Sequence, residues 1–171
     1  LFYVKPRSLS VRNGQAWAQL ATLTVTDSKE NWFALGAYEA KPLTDVHVVL
    51  MRTDPPVDTH YLHDSQILSL AQKAGVLMVN DPQGLRDMNE KLAALLFPQC
   101  CPETLVSRSM ADVKAFVETH REAVLKPLDG MGGRSIFRAS AGDANLNVIL
   151  ETLSEGGTTH IMAQRFIPEI S

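Results

Sequence analysis

Lys126 closes an apolar segment, and the stretch KPLDGMGG (126–133) then sets Gly130, Gly132 and Gly133 close behind it. Glycines lack a Cβ, so a loop built from them can bring bare backbone N–H groups up to a polyphosphate as a nest. A Walker loop places its lysine after the glycines and runs through Ser or Thr into a helix, and a dinucleotide-binding turn also opens a helix. Here the lysine comes first and SIFR (135–138) reads as a strand, so the glycines are expected to form a hairpin tip between strands at 123–126 and 135–138. On glycine content alone a plain flexible turn is an equal reading. Lys126 favours the ligand reading: strand alternation puts it opposite Ala123 and Leu125, on the face of Val124, where a charge without a partner anion is costly. A lysine stem snorkelling into water from a strand end is the competing account.

Lys91 poses the same choice. It borders the apolar stripe of a helix expected over 84–97, built from Leu85, Met88, Leu92, Leu95 and Leu96, and helix pattern alone favours a packed stem with its head in water. Two lysines beside one glycine loop would clamp phosphates. Arg52 and Asn80 follow two buried strands, at the edge where open parallel sheets bind ligands. The prolines of MRTDPP (51–56) stiffen the backbone there, and a rigidly held arginine suits a substrate carboxylate. An ion pair from Arg52 to Asp54 or Asp81 is the alternative. His60 and His63 lie one turn apart without a third ligand, the pattern of helix-end or partly buried histidines rather than a metal site. Adjacent Cys100 and Cys101 read as reduced thiols, and four-ligand zinc spacing is absent.

These groups need elements to hold them. Segments 8–12 and 15–25 flank Asn13-Gly14, a dipeptide suited to a type I′ hairpin turn. Residues 31–36 fit either a short helix or a loop. The apolar run 46–51 reads as a buried parallel strand. A helix capped by Asp58 or Thr59 follows, with an inward face of His60, His63, Ile67, Leu70, Ala71 and Ala74 and a stop at Gly75. A second buried strand at 76–79 completes a βαβ unit. Pro98 ends the 84–97 helix and 100–102 is linker-like. Beyond it come a strand at 104–107, a helix opened by Ser109 and Asp112, the two strands around the glycine loop, a helix at 146–153 stopped by Gly156-Gly157, and a strand at 160–167. The fold class expected is α/β, with a partial parallel-sheet domain over 1–99 and a small α+β domain with an antiparallel sheet over 100–171.

The composition, 45% hydrophobic and 20% charged over 171 residues, is that of a globular domain or two. A net charge of −3 gives no basic footprint for nucleic acid. No apolar run is long enough to cross a bilayer and no signal-peptide order is present, so a cytoplasmic protein is expected. The chain opens inside the strand-like run LFYV without methionine, and a segment of a longer protein is expected.

Taken in order, MRTDPP (51–56), NDP (80–82), LRDMNEK (85–91), LKPLDGMGG (125–133) and MAQRFIP (162–168) resemble the bacterial, prokaryotic-type glutathione synthetase family of ATP-grasp ligases. Several ordered motifs are far more specific than one glycine loop. The resemblance implies that ATP phosphorylates the cysteinyl carboxylate of γ-glutamylcysteine and that glycine attacks the acyl phosphate, giving glutathione, ADP and phosphate. It makes Lys91 and Lys126 the ATP-binding lysines. Gly130, Met131, Gly132 and Gly133 become the lid loop, and Gln164, Arg165, Phe166 and Ile167 the hinge along which adenine lies. Arg52 becomes a contact to the peptide substrate. Asp81 stands where the family suggests lysine, and Arg134 where a small residue is frequent. A homotetramer is implied, as are Mg²⁺ ligands and a phosphate-stabilising arginine in a C-terminal domain beyond residue 171, so the chain alone is expected to be nearly inactive. Another ATP-grasp carboxylate–amine ligase and a noncatalytic nucleotide-binding module resembling the central domain of synapsin are the alternatives.

Overall fold

The computed structural model describes residues 1–54 and 56–170; Pro55 of the MRTDPP motif and Ser171 lie outside the described residues. Contacts divide the chain into Leu1–Asp87 and Met88–Ser171, an earlier division than the expected 99/100 boundary.

In the first unit β1 (Phe2–Val4) and β2 (Ser10–Arg12) pair antiparallel with successive parts of β3 (Gln15–Val25), which also carries β4 (Phe33–Pro42). Asn13 at φ 50° and Gly14 at φ 78° supply the two left-handed residues of the tight turn between β2 and β3. Strand β4 corrects the reading of 31–36 as a short helix or loop. Its side chains are almost all exposed, so no inward and outward alternation marks it as a strand.

The parallel pair is β5 (Val48–Leu50) and β6 (Leu77–Val79), in register at Val49 and Met78 and joined through α1 (Thr59–Lys73). Asp58 caps α1, its Oδ1 accepting from the Tyr61 N–H at 2.9 Å, and Gly75 follows the helix end at φ 98°. Two expectations are corrected. These strands bury one face only: Val49 and Met78 pack in the core, while Val48, Leu50, Leu77 and Val79 are exposed. The buried residues of α1 are Ser65, Leu68 and Ala71; Ile67 and Leu70 pack partly against the same core as expected, and His60, His63 and Ala74 lie outside. Leu68 and Ala71 join Ala16, Ala18, Leu20, Leu43, Val49 and Met78 in one cluster. Ser65 tolerates this position because its hydroxyl donates to the Leu62 carbonyl at 2.7 Å and accepts from Arg86 at 3.1 Å. A hydrophobicity pattern counts that serine as outward.

The helix expected over 84–97 is not continuous. Helix α2 (Pro82–Asp87) closes the first unit, and 3₁₀ turns at Ala93–Leu96 and Pro98–Cys100 open the second. Between them the Asn89 Oδ1 accepts from the N–H groups of Lys91 and Leu92 at 3.0 and 3.1 Å. A side chain thus takes donors that a continuing helix would have given to its own carbonyls.

The second unit runs β7 (Thr104–Ser107), α3 (Met110–His120), β8 (Glu122–Pro127), β9 (Phe137–Ser140), α4 (Leu146–Ser154) and β10 (Ile161–Arg165). Its sheet is antiparallel in the order β7-β10-β8-β9. Val113 and Val117 of α3 and Leu146, Leu150 and Leu153 of α4 pack with Ala123, Leu125, Ala139, Ile161 and Ala163 of the sheet. The opposite sheet face carries Val124 and Lys126 of β8, paired with Gln164 and Met162 of β10, and Arg138 of β9, paired with Val124. A one-residue slip of β8 would put Lys126 into the core, so burial fixes the register that places the lysine. Among the described residues no helix is long and apolar enough to cross a membrane.

Candidate functional site

The β8–β9 hairpin sets the geometry. Strand β8 ends at Pro127, and the loop returns the chain to β9 with Gly132 at φ 64° and Gly133 at φ 76°. A Cβ at either glycine would meet nothing within 4 Å, so these two are needed for backbone conformation and not for want of room. Gly130 differs: a Cβ there would sit 3.0 Å from the Pro127 ring. Met131 stands exposed at the tip.

Lys91 holds the root of this loop. Its Nζ donates to the carbonyl of Gly130 at 2.7 Å and of Leu128 at 3.3 Å, and it pairs with Glu90 at 2.9 Å. Its side chain is only 13% exposed, so the packed stem expected from the helix pattern is present although the helix is not. Asn89 adds a second tie, its Nδ2 donating to the Leu128 carbonyl at 3.2 Å. That role is not evident from the sequence. The only signal is an asparagine two residues before a lysine in an otherwise helical stretch.

Lys126 lies beside this assembly on the face away from the helices. It is half-buried, and among the described residues its ammonium has no hydrogen-bond or ion-pair partner. Burial pushes its pKa below the usual lysine value and the positive charge of Lys91 pushes it further, against a weaker opposing influence from Cys101 and Glu90. An anion seated here would relieve both penalties. The two lysines and the glycine loop are therefore brought together: the three donors of Lys91 are taken by Glu90, Leu128 and Gly130, and Lys126 is the cation that suits a phosphate.

The expected hinge, Gln164 to Ile167, begins in the last two residues of β10, next to β8. Gln164 Nε2 donates to Thr104 Oγ1 at 3.0 Å. Arg165 turns its side chain to Glu103, Nε to Oε2 at 2.6 Å, and that bond draws the Glu103 carboxyl pKa down. The N–H groups of Arg165 and Phe166 are already given to the carbonyls of Glu103 and Glu122, at 2.9 and 3.1 Å, so neither is left for a ligand. Ile167 continues the segment, partly buried.

Arg52 is exposed just past β5 and belongs to the first unit, so it is not among the groups that the second unit assembles. Among the described residues it makes no ion pair with Asp54 or Asp81. Asp81 instead accepts from Gln72 at 2.6 Å and from the Gly84 N–H at 2.7 Å, where it caps α2. His60 and His63 are exposed, and among the described residues no three His, Cys, Asp or Glu side chains are grouped to hold a metal ion.

Comparison with known proteins gives the family and the fold. The family model of the prokaryotic glutathione synthetase N-terminal domain matches residues 1–86, and that of the prokaryotic glutathione synthetase ATP-grasp domain matches residues 90–171. The chain is 62% identical to the glutathione synthetase of Xanthomonas campestris pv. campestris, over all of this chain and 54% of that one. It is 49% identical to that of Escherichia coli K12, over 99% of this chain and 54% of the relative. The chain thus spans about half the length of the curated relatives it matches. Among solved structures, a RimK domain ATP-grasp protein from Sphaerobacter thermophilus aligns with TM-score 0.53 and 22% identity, over 72% of this chain and 47% of that one. D-cycloserine synthetase DcsG aligns with TM-score 0.53 and 17% identity, over 73% of this chain and 45% of that one. At these identities the two structures speak to the fold, which is that of ATP-grasp proteins.

Proposed function

Because the chain belongs to the prokaryotic glutathione synthetase family, we propose that the protein carrying it joins γ-glutamylcysteine to glycine with cleavage of ATP to ADP and phosphate. The observation that carries this reading is Lys126: a half-buried cation without a partner among the described residues, beside a second lysine that grips the root of a glycine loop. The fold gains nothing in stability from Lys126, a second positive charge held near Lys91 in a partly desolvated place. An anion beside Lys126 makes sense of its position.

In the reaction so proposed, a carboxylate oxygen of the cysteinyl residue attacks the γ-phosphorus of ATP and the bond to the β-phosphate oxygen breaks, leaving ADP and an acyl phosphate. The glycine amine then attacks the acyl carbon, the bond to the phosphate oxygen breaks, and the amine proton is lost to solvent. Little covalent chemistry falls to the protein, so positioning and charge neutralisation dominate. Lys126 and Lys91 oppose the charge on the phosphates, and Gly130, Met131, Gly132 and Gly133 close over them and keep water from the acyl phosphate. Gln164, Arg165, Phe166 and Ile167 border the base, and Arg52 meets a carboxylate of the peptide. Mg²⁺ belongs to this scheme through ligands other than the described residues. A cytoplasmic homotetramer completes the proposal by family resemblance.

The test is ADP release by the full-length protein, with acids and amines supplied in turn. Release is expected only when γ-glutamylcysteine and glycine are both present. Turnover confined to another acid and amine pair would overturn the substrate assignment. Nucleotide binding without turnover on any pair would overturn the ligase itself.

A further inference from the structure

Three elements meet on the sheet face that carries Lys126, at a point neither the two lysines nor the glycine loop reaches. Arg138 of β9 lays its guanidinium over the Phe166 ring, 3.8 Å from guanidinium carbon to ring centroid. Glu122 of β8 holds that guanidinium in place: Arg138 donates to Oε1 at 2.8 Å and to Oε2 at 3.0 Å. The Ser140 hydroxyl braces the same carboxylate at 3.4 Å. The main chain of Glu122 closes the circuit, its carbonyl accepting from the Phe166 N–H at 3.1 Å. One residue therefore fixes the backbone of Phe166 directly and its ring through Arg138.

Stability does not account for this arrangement. The Arg138 and Glu122 side chains are 52% and 37% exposed, and a pair that open to water contributes about 0–1 kcal/mol at most. What the arrangement does supply is orientation. The carboxylate tethers the guanidinium at one nitrogen, Nη2, which donates to both oxygens, and the Phe166 ring beneath gives the cation its second point of contact, so each restrains the other. Phe166 lies in the segment that borders the nucleotide base.

We propose that Arg138, oriented by Glu122, is a positioning residue for the purine base of the nucleotide, acting through the Phe166 ring and not by contact with the phosphates. The inference rests on the ATP-binding reading above and adds to it the residues that set base affinity. Arg138 on the strand that leaves the glycine loop also ties the end of that hairpin to the hinge, so lid and base wall share one strut.

The experiment is a set of variants of the full-length protein, assayed for KM and kcat with ATP and with GTP. Arg138→Ala is expected to raise KM for ATP about two- to fivefold with kcat within about twofold, the size of one solvent-exposed cation–π contact, and to narrow the preference for ATP over GTP. Arg138→Lys restores little, since an ammonium has no plane. Glu122→Ala separates positioning from direct phosphate contact. If Arg138 acts on Phe166, freeing it from Glu122 raises KM as Arg138→Ala does; if it touched phosphate, losing the competing carboxylate would lower KM. In a Phe166→Leu background, Arg138→Ala is expected to add less than twofold. An unchanged KM in Arg138→Ala, a lowered KM in Glu122→Ala, or full additivity with Phe166→Leu would each overturn the proposal. Failure of the unmodified protein to bind ATP would overturn the nucleotide reading instead, and this inference with it.

Discussion

Lys126→Ala is expected to lower kcat/KM for ATP in the full-length protein by about 10²–10³-fold, the loss typical of one preorganised group aimed at developing charge. The side chain is already partly desolvated and carries no partner among the described residues, so its interaction with phosphate meets little competition. The same substitution, or better Lys126→Met, is expected to leave the unliganded protein as stable as before or more stable by about 0.5–1 kcal/mol, as is common when a functional group is removed. The sign follows from linkage. The folded-state pKa of Lys126 is depressed, so the unfolded chain binds more protons between that value and the ordinary lysine pKa. Stability therefore rises with pH across that window, and the methionine variant loses this dependence. Steady-state kinetics and thermal unfolding at several pH values check both halves. A variant that lost stability and activity together would show Lys126 to be structural.

Lys91→Ala is expected to act differently, because the three donors of Lys91 are bound to the protein, two of them to the root of the loop. Its removal leaves the carbonyls of Leu128 and Gly130 without their charged donor, a loss of about 1.5–3 kcal/mol in holding the loop root. Nucleotide affinity should fall at least tenfold, and limited proteolysis should cut within residues 128–136 much faster than in the unmodified protein. ATP should slow that cutting in the unmodified protein and not in the variant. Equal cutting rates for the two proteins would contradict the anchoring role.

Part of the fold and site is legible in the sequence and part is not, for physical reasons. Asn13-Gly14 encodes its own turn, since both residues take the left-handed angles that the hairpin needs. The side of the sheet on which Lys126 falls follows from alternation with Ala123 and Leu125, because a strand's period is short and strict. The phase of α1 does not follow from its apolar spacing: Ser65 is polar yet buried, and its hydrogen bonds with Leu62 and Arg86 are invisible in a hydrophobicity pattern. Strand β4 is hidden because exposure on both faces removes the alternation that marks a strand. The break after Asp87 hinges on one side chain, Asn89, outbidding a helix whose apolar spacing runs straight past it. At the site, the ordered motifs point to Lys91, Lys126 and the glycines through resemblance to a family. The contacts from Lys91 to the loop carbonyls, and the circuit of Glu122, Arg138 and Phe166, join residues distant in sequence and need the fold to be seen.

In the function proposed above, the full-length protein passes the terminal phosphoryl group of ATP to a carboxylate of γ-glutamylcysteine. The direct measurement uses the dipeptide with heavy oxygen in its cysteinyl carboxylate, turned over by the full-length protein with ATP and glycine, followed by mass analysis of the phosphate released. One labelled oxygen per phosphate is the result predicted, since the acyl phosphate breaks between the acyl carbon and that oxygen. Phosphate without label, alongside formation of glutathione, would contradict activation through an acyl phosphate and with it the roles assigned to the two lysines and the glycine lid.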